Sequence, residues 1–144
     1  MLNKLQKGDK VNIVAPSSFI DEEDEFKKGI DILKTWGLKV ISNNVLSNKY
    51  GYFAGDDQSR FEELEKAQNS KLIIFAKGGW GAARLLEKKI PTWSDSLMIG
   101  FSDTCSLLLS KYTQGNFGSI HGPMITTLFK EPEWSLKRLR NLLF

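Results

Sequence analysis

Ser102 and Asp103 stand at the corner of SLMIGFSDTCSLLLSKY (96–112), where one apolar run meets a second whose spacing is helical. A strand that delivers a serine into a tight turn opening a helix has the geometry of a nucleophile elbow. The hydroxyl is exposed there, the first helical N–H groups face a developing oxyanion, and Ser102 is expected at strained or sparsely populated backbone angles. The match is partial, because an elbow ordinarily carries glycine two residues after the serine and Thr104 occupies that place. Helix capping by Ser102 or Asp103 is the competing role, and a common one for both residue types.

A second chemical candidate is KGGWGAARLL (77–86). Glycines after a buried strand permit positive φ and close backbone approach, so their N–H groups can face a ligand or an oxyanion. The stretch lacks the Lys-Ser/Thr ending of a P-loop, and its glycine spacing differs from the dinucleotide fingerprint. Taken alone it reads as a structural turn. His121 is the single histidine. Near a strand end such a residue is more often hydrogen-bonded structure than a general base, so no Ser102–His121 pair is assigned. Cys105 falls in the first turn of an apolar helix and reads as a packing residue. Trp80, Trp93, Tyr52 and Phe53 suit a cleft wall and a core equally well. The acidic DEEDE (21–25) reads as a solvated helix start favourable to the macrodipole, rather than a metal site.

These residues need a frame. Lys10–Ala15 is a β-branched run closed by Pro16, Ser17 and Ser18, a buried strand ending in a turn. DEEDEFKKGIDILKTWG places Phe26, Ile30 and Leu33 on one helical face, with Gly37 as a stop. LKVIS (38–42) is a second strand, followed by a long polar loop to Gly55. A second helix is expected from Ser59, where Ser59 and Glu62 have capping-box spacing and Phe61, Leu64 and Ala67 form a stripe. LIIFA (72–76) is a fully buried strand by its continuous apolar character. Alternation of strand and helix through to a final helix around EWSLKRLRNLL predicts a parallel sheet with helices on both faces. In such a sheet ligands bind beyond the carboxyl ends of the strands. The turns at Pro16–Ser18, Lys77–Gly79, Phe101–Asp103 and His121–Pro123 are thereby expected on one edge.

With 144 residues, 41% hydrophobic and 26% charged, the chain has the size and composition of one domain with its own core. Twenty basic residues, spread along the chain, against 17 acidic ones give a net charge of +3, which is no nucleic-acid footprint. One cysteine allows no internal disulfide and fits a reducing cytoplasm. The amino end shows no leader and no apolar run has transmembrane length, so an unexported protein without a membrane partner is expected.

The ordered segments LQKGDKVNIVAPSS, YFAGDDQSRFEEL, FAKGGWGAARLL, MIGFSDTCSLLL and SIHGPM, from about Leu5 to Met124, resemble the amino-terminal domain of the LD-carboxypeptidase family of serine peptidases. That family includes muramoyltetrapeptide carboxypeptidases of peptidoglycan recycling and immunity proteins that inactivate microcin C-type antibiotics. The resemblance implies an open, mostly parallel α/β sandwich, flavodoxin-like or class I glutamine amidotransferase-like. Residues 1–144 would be the nucleophile-bearing domain, with a carboxyl-terminal domain expected outside this chain. It implies Ser102 as the nucleophile of a Ser-Glu-His triad. The oxyanion hole would come from the amide of Asp103 and one from the turn around Gly78 and Gly79. Lys77, Trp80 and Ser17 become candidates for contact with a small peptide ending in a D-amino acid, with no metal or cofactor. A homodimer is compatible with it.

Two departures stand out. Lys77 occupies a place where the family usually has arginine, and a compact ammonium cannot reproduce a guanidinium fork. The triad's Glu and His are expected in the carboxyl-terminal domain, so the base's role is not moved onto His121. A serine without a base is almost wholly protonated, and the chain alone is expected to be nearly inactive. Two other readings use the same residues. One is a non-catalytic muropeptide or acyl-peptide binding module, which would keep Ser102 buried; the other is a flavodoxin-like nucleotide-binding domain, which the missing phosphate motifs disfavour.

Overall fold

The computed structural model describes residues 4–87 and 89–144; the first three residues of the amino-terminal stretch and Lys88 lie outside the described residues. Five strands, β1 (Lys10–Val14), β2 (Lys39–Ile41), β3 (Leu72–Phe75), β4 (Leu97–Gly100) and β5 (Ser119–His121), form one sheet in the order β2-β1-β3-β4-β5. Every pairing is parallel. This order is that of flavodoxin-like sheets, with the topological switch between β1 and β3. The expected α/β sandwich is the observed one.

Both faces of the sheet are covered because its central strands are apolar throughout. Leu72, Ile74, Leu97 and Ile99 pack on one side with Phe26 and Leu33 of α1 (Glu23–Thr35), Ile125 and Leu128 of the one-turn α4 (Ile125–Leu128), and Leu139 and Leu143 of α5 (Glu133–Leu143). Ile73, Phe75 and Met98 point the other way, onto Leu64 and Ala67 of α2 (Asp57–Ala67) and Leu107 and Leu108 of α3 (Cys105–Thr113). The period-two alternation of a strand thus divides one apolar run between two cores.

Two local expectations are corrected. Helix α2 starts at Asp57 rather than Ser59: Asp56 is the cap, its Oδ1 accepting the Ser59 N–H at 2.7 Å and the Ser59 hydroxyl at 2.8 Å. Asp and Ser are both capping types, and the earlier of the two holds the N–H at the third helical position. Strand–helix alternation also lapses between β3 and β4, where the chain makes only a short 3-10 turn, Ala83–Leu86. Three glycines in GGWG, each costing about 1 kcal/mol in a helix interior, explain the missing helix. No helix among the described residues is long and apolar enough to cross a membrane.

Candidate active site

Parallel pairing puts the carboxyl ends of all five strands on one edge, with Val14 opposite Phe75 and Gly100 opposite His121. Ser102 follows β4 after a single extended residue, Phe101, and opens a 3-10 turn, Ser102–Thr104, that runs straight into α3. Its φ is +60°, the one positive value at a non-glycine among the described residues. Its side chain is exposed and close to the glycine turn: a Cβ built on Gly78 would lie 3.3 Å from Ser102 Oγ. Neither Ser102 nor Asp103 caps a helix with its side chain, so the competing capping role is not realised. Asp103, second in the helical run, carries a backbone N–H with no intrahelical acceptor.

Thr104 fits the turn because Gly100 is bare. A Cβ on Gly100 would press into Thr104 Oγ1 and come within 2.6 Å of the Phe75 ring. Thr104 is buried there and donates its hydroxyl to Phe101 O at 2.8 Å. The first glycine of the elbow pattern is present, and the space it leaves accommodates the residue that departs from the pattern.

The turn after β3 is held by the turn after β1. Ser18 donates to Gly78 O through both its N–H (3.2 Å) and its hydroxyl (2.7 Å). In a trans peptide the Gly79 N–H leaves on the opposite side from that carbonyl, so it points away from Ser18. Gly79 has φ +109°, and a side chain there would strike Ser18 and Tyr52. Glycine is required at this position by conformation and by space together.

The Asp103 carboxylate ties three segments into one body. Its Oδ2 accepts the Ser17 hydroxyl at 2.6 Å and the Ala82 N–H at 2.8 Å. Opposite it stands Arg60 of α2, fully buried, donating to Gly55 O at 3.1 Å, to Gly81 O at 3.2 Å, to Pro16 O and to Asp57. Burial pulls the Arg60 guanidinium below its ordinary pKa, while the hydrogen bond from Arg84 is the leading cause holding Asp57 below the usual carboxylate range. Arg60 has no role in the reading of the sequence, although YFAGDDQSRFEEL contains it. A signal was available: Arg60, Leu64 and Ala67 share the buried stripe of α2, and an arginine on such a stripe needs buried acceptors.

The other predicted residues are distributed as follows. Lys77 is half-buried, with Nζ 2.8 Å from both Glu22 carboxylate oxygens, and borders an open cleft of about 320 Å³ that Ser18, Phe19, Lys49 and Tyr52 also line. Ser17 is fully buried, its hydroxyl engaged with Asp103. Trp80 is exposed, its ring 5.5 Å from that of Phe53, with the Arg84 guanidinium 5.7 Å from the Trp80 ring. Trp93 belongs to the core on the α2/α3 face. His121 is exposed, its ring 6.3 Å from that of Phe101, and it makes no hydrogen bond with Ser102 among the described residues. Cys105 is half-buried at the start of α3. The long loop before α2 is anchored here too, through Phe19 N–H to Tyr52 O (2.9 Å) and Ala54 N–H to Ser17 O (3.1 Å).

A parallel sheet in this order, with an exposed serine at a left-handed strand–helix corner beside a glycine turn, defines a class that the comparisons with known proteins name. Residues 11–122 match the model of the LD-carboxypeptidase N-terminal domain, and the chain belongs to that family. A Synechocystis protein named as a carboxypeptidase is 41% identical over 145 residues, covering 94% of this chain and 46% of the relative. A Bacillus subtilis protein named as a murein peptide carboxypeptidase is 29% identical over 129 residues, covering 85% and 40%. Among solved structures, the microcin C7 self-immunity protein MccF superposes with a TM-score of 0.83 at 21% identity, over 99% of this chain and 47% of that one. A muramoyltetrapeptide carboxypeptidase from Oxalobacter formigenes superposes with a TM-score of 0.74 at 21% identity, over 92% and 47%. The chain thus spans less than half the length of these relatives.

Proposed function

We propose that this chain is the nucleophile- and oxyanion-bearing half of a serine-type LD-carboxypeptidase acting on a muropeptide. The observation that carries this reading is Ser102 itself, exposed at φ +60° on a strand–helix corner with the Gly78 backbone against its hydroxyl. A binding module with a buried serine would not need that backbone.

In the proposed reaction Ser102 Oγ attacks the carbonyl carbon of the amide before a terminal D-amino acid, and its proton passes to a base. The carbonyl oxygen becomes an oxyanion facing the N–H of Asp103 and one from Gly78 or Gly79. Collapse breaks the C–N bond, the amine takes up a proton and leaves as the free D-amino acid, and water hydrolyses the acyl-enzyme. Donors of this kind are worth about 3–4 kcal/mol each, so the shape of the two turns matters nearly as much as the hydroxyl. Following the family pattern, the base is a histidine oriented by a glutamate from a carboxyl-terminal domain, and Lys77 and Trp80 face the substrate.

The test joins this chain in cis to the carboxyl-terminal half of the Synechocystis relative and follows D-alanine release from an L,D-tetrapeptide. Release with Ser102 and none with Ser102→Ala is expected; equal release by both would sink the assignment. Turnover of an aminoacyl-nucleotide in place of the tetrapeptide would move the chain to the immunity-protein branch.

A further inference from the structure

We infer that Arg60 and Asp103 are positioning residues that act as two jaws of one clamp, fixing the glycine turn beside Ser102 before any substrate arrives. The Gly81 carbonyl and the Ala82 N–H belong to the same peptide unit. Arg60 Nη1 donates to its oxygen at 3.2 Å and Asp103 Oδ2 accepts from its nitrogen at 2.8 Å, so the plane is held from both sides. The same two side chains also grip the turn after β1, Arg60 at Pro16 O and Asp103 at the Ser17 hydroxyl, 2.6 Å away. Ser18 then joins the two turns through Gly78 O.

A clamp is needed here for a physical reason. Gly79 and Gly81 both sit at positive φ, and glycine loses more conformational freedom on ordering than any other residue. Left to itself the segment would sample many orientations of its N–H groups. Hydrogen bonds to a buried guanidinium and a carboxylate are about twice as strong as neutral ones and suit this task. Asp103 has a double place in the arrangement: its backbone N–H is the proposed oxyanion donor, and its side chain orients the segment bearing the other donor. Donors fixed in advance cost no reorganisation when charge develops. The inference rests on the proposed function for what the clamp serves, while the clamp itself is a matter of the free chain.

Two measurements on the 144-residue chain separate these. The first is amide hydrogen exchange by NMR. In Arg60→Lys, which keeps the charge without the fork, and in Asp103→Ala, the Ala82 and Ser18 amides should exchange about tenfold faster, while Ile73 to Phe75 in β3 stay protected. Asp103→Asn, which retains an acceptor oxygen, should restore most of the protection. The second is titration with an N-acylated aminoalkylboronic acid, followed by boron-11 NMR. Boron accepts the Ser102 oxygen, the hydroxyl proton is released to buffer, and the tetrahedral anion mimics the oxyanion intermediate. Adduct affinity should fall about tenfold or more in Arg60→Lys and Asp103→Ala and recover in Asp103→Asn. Unchanged Ala82 exchange in the folded variants, or wild-type adduct affinity in them, overturns the clamp. Should Asp103→Ala fail to fold, Arg60→Lys against Asp103→Asn decides the same question. An adduct that survives Ser102→Ala refutes the nucleophile reading instead; in that case, or where the chain without its base forms no adduct, Ala82 exchange decides the clamp alone.

Discussion

Lys77 Nζ lies 2.8 Å from each carboxylate oxygen of Glu22, the residue preceding α1. The hydrogen bond from Lys77 is the leading cause holding Glu22 below its ordinary pKa of 4.5. A depressed carboxylate contributes stability above its unfolded pKa and loses it as pH falls through the folded value. Both side chains are partly exposed, so the contribution is about 0.2–1 kcal/mol. Wild type should therefore lose melting temperature more steeply than Glu22→Gln from about pH 5 downward. Parallel curves would show that the pair contributes nothing to the fold. Glu22→Gln also frees the ammonium at neutral pH, which should lower KM for an anionic peptide if Lys77 anchors substrate.

The left-handed corner at Ser102 makes a second, thermodynamic prediction. A non-glycine residue at this φ costs about 1–2 kcal/mol. Glycine adopts it without that cost, although its greater freedom in the unfolded chain offsets part of the gain. Ser102→Gly should be about 1 kcal/mol more stable than Ser102→Ala in urea unfolding, while both lack turnover. Equal stability of the two would mean that the turn relaxes and stores no strain.

Gly100 and Thr104 should be energetically coupled. Gly100→Ala pushes a methyl group toward Thr104 and the Phe75 ring, a crowding expected to cost about 1–3 kcal/mol. Thr104→Gly in the same chain restores the more usual elbow pattern and removes one of the two obstructions. The double variant should recover part of the loss, so that in a double-mutant cycle it costs less than the sum of the two single variants. Strict additivity would show that Phe75 alone sets the limit.

Glu63, half-buried in α2, presents the opposite sign. Burial is the leading cause raising its pKa above 4.5, with Lys66 opposing. A raised carboxylate disfavours the folded state once pH passes the unfolded pKa, and the penalty is complete above the folded value. Glu63→Gln should therefore melt higher than wild type at pH 7 and equal to it near about pH 4. A constant offset at both pH values would assign the effect to packing instead of charge.

Much of the frame was legible because β3 and β4 are apolar without interruption and their turns are rich in glycine and serine. The strand-end position of Ser102 followed from that pattern. Its sparsely populated backbone followed from the elbow reading and is borne out at φ +60°. That neither Ser102 nor Asp103 caps a helix did not follow, since a serine before an aspartate is equally a cap until tertiary packing chooses. Arg60 is not marked out by its type, because charged residues are read as solvated, and two of its four acceptors, Pro16 O and Gly81 O, come from loops 44 and 21 residues distant in sequence. The short 3-10 link before β4 was obscured by ARLLEKK, whose residues favour a helix where the preceding glycines do not. Backbone carbonyls carry no letter in the sequence, and three of the four acceptors that hold the buried arginine are carbonyls.

The positive φ at Ser102 also separates the two amino acids with an aliphatic hydroxyl. Threonine adds a second heavy atom to Cβ, and a β-branched residue in this region of backbone space is a genuine outlier. Whatever chemistry the hydroxyl performs, a secondary alcohol is barred from the corner before reactivity is considered. Cysteine, being unbranched, is not, so a thiol can be installed at this position as a handle for selective labelling without rebuilding the turn.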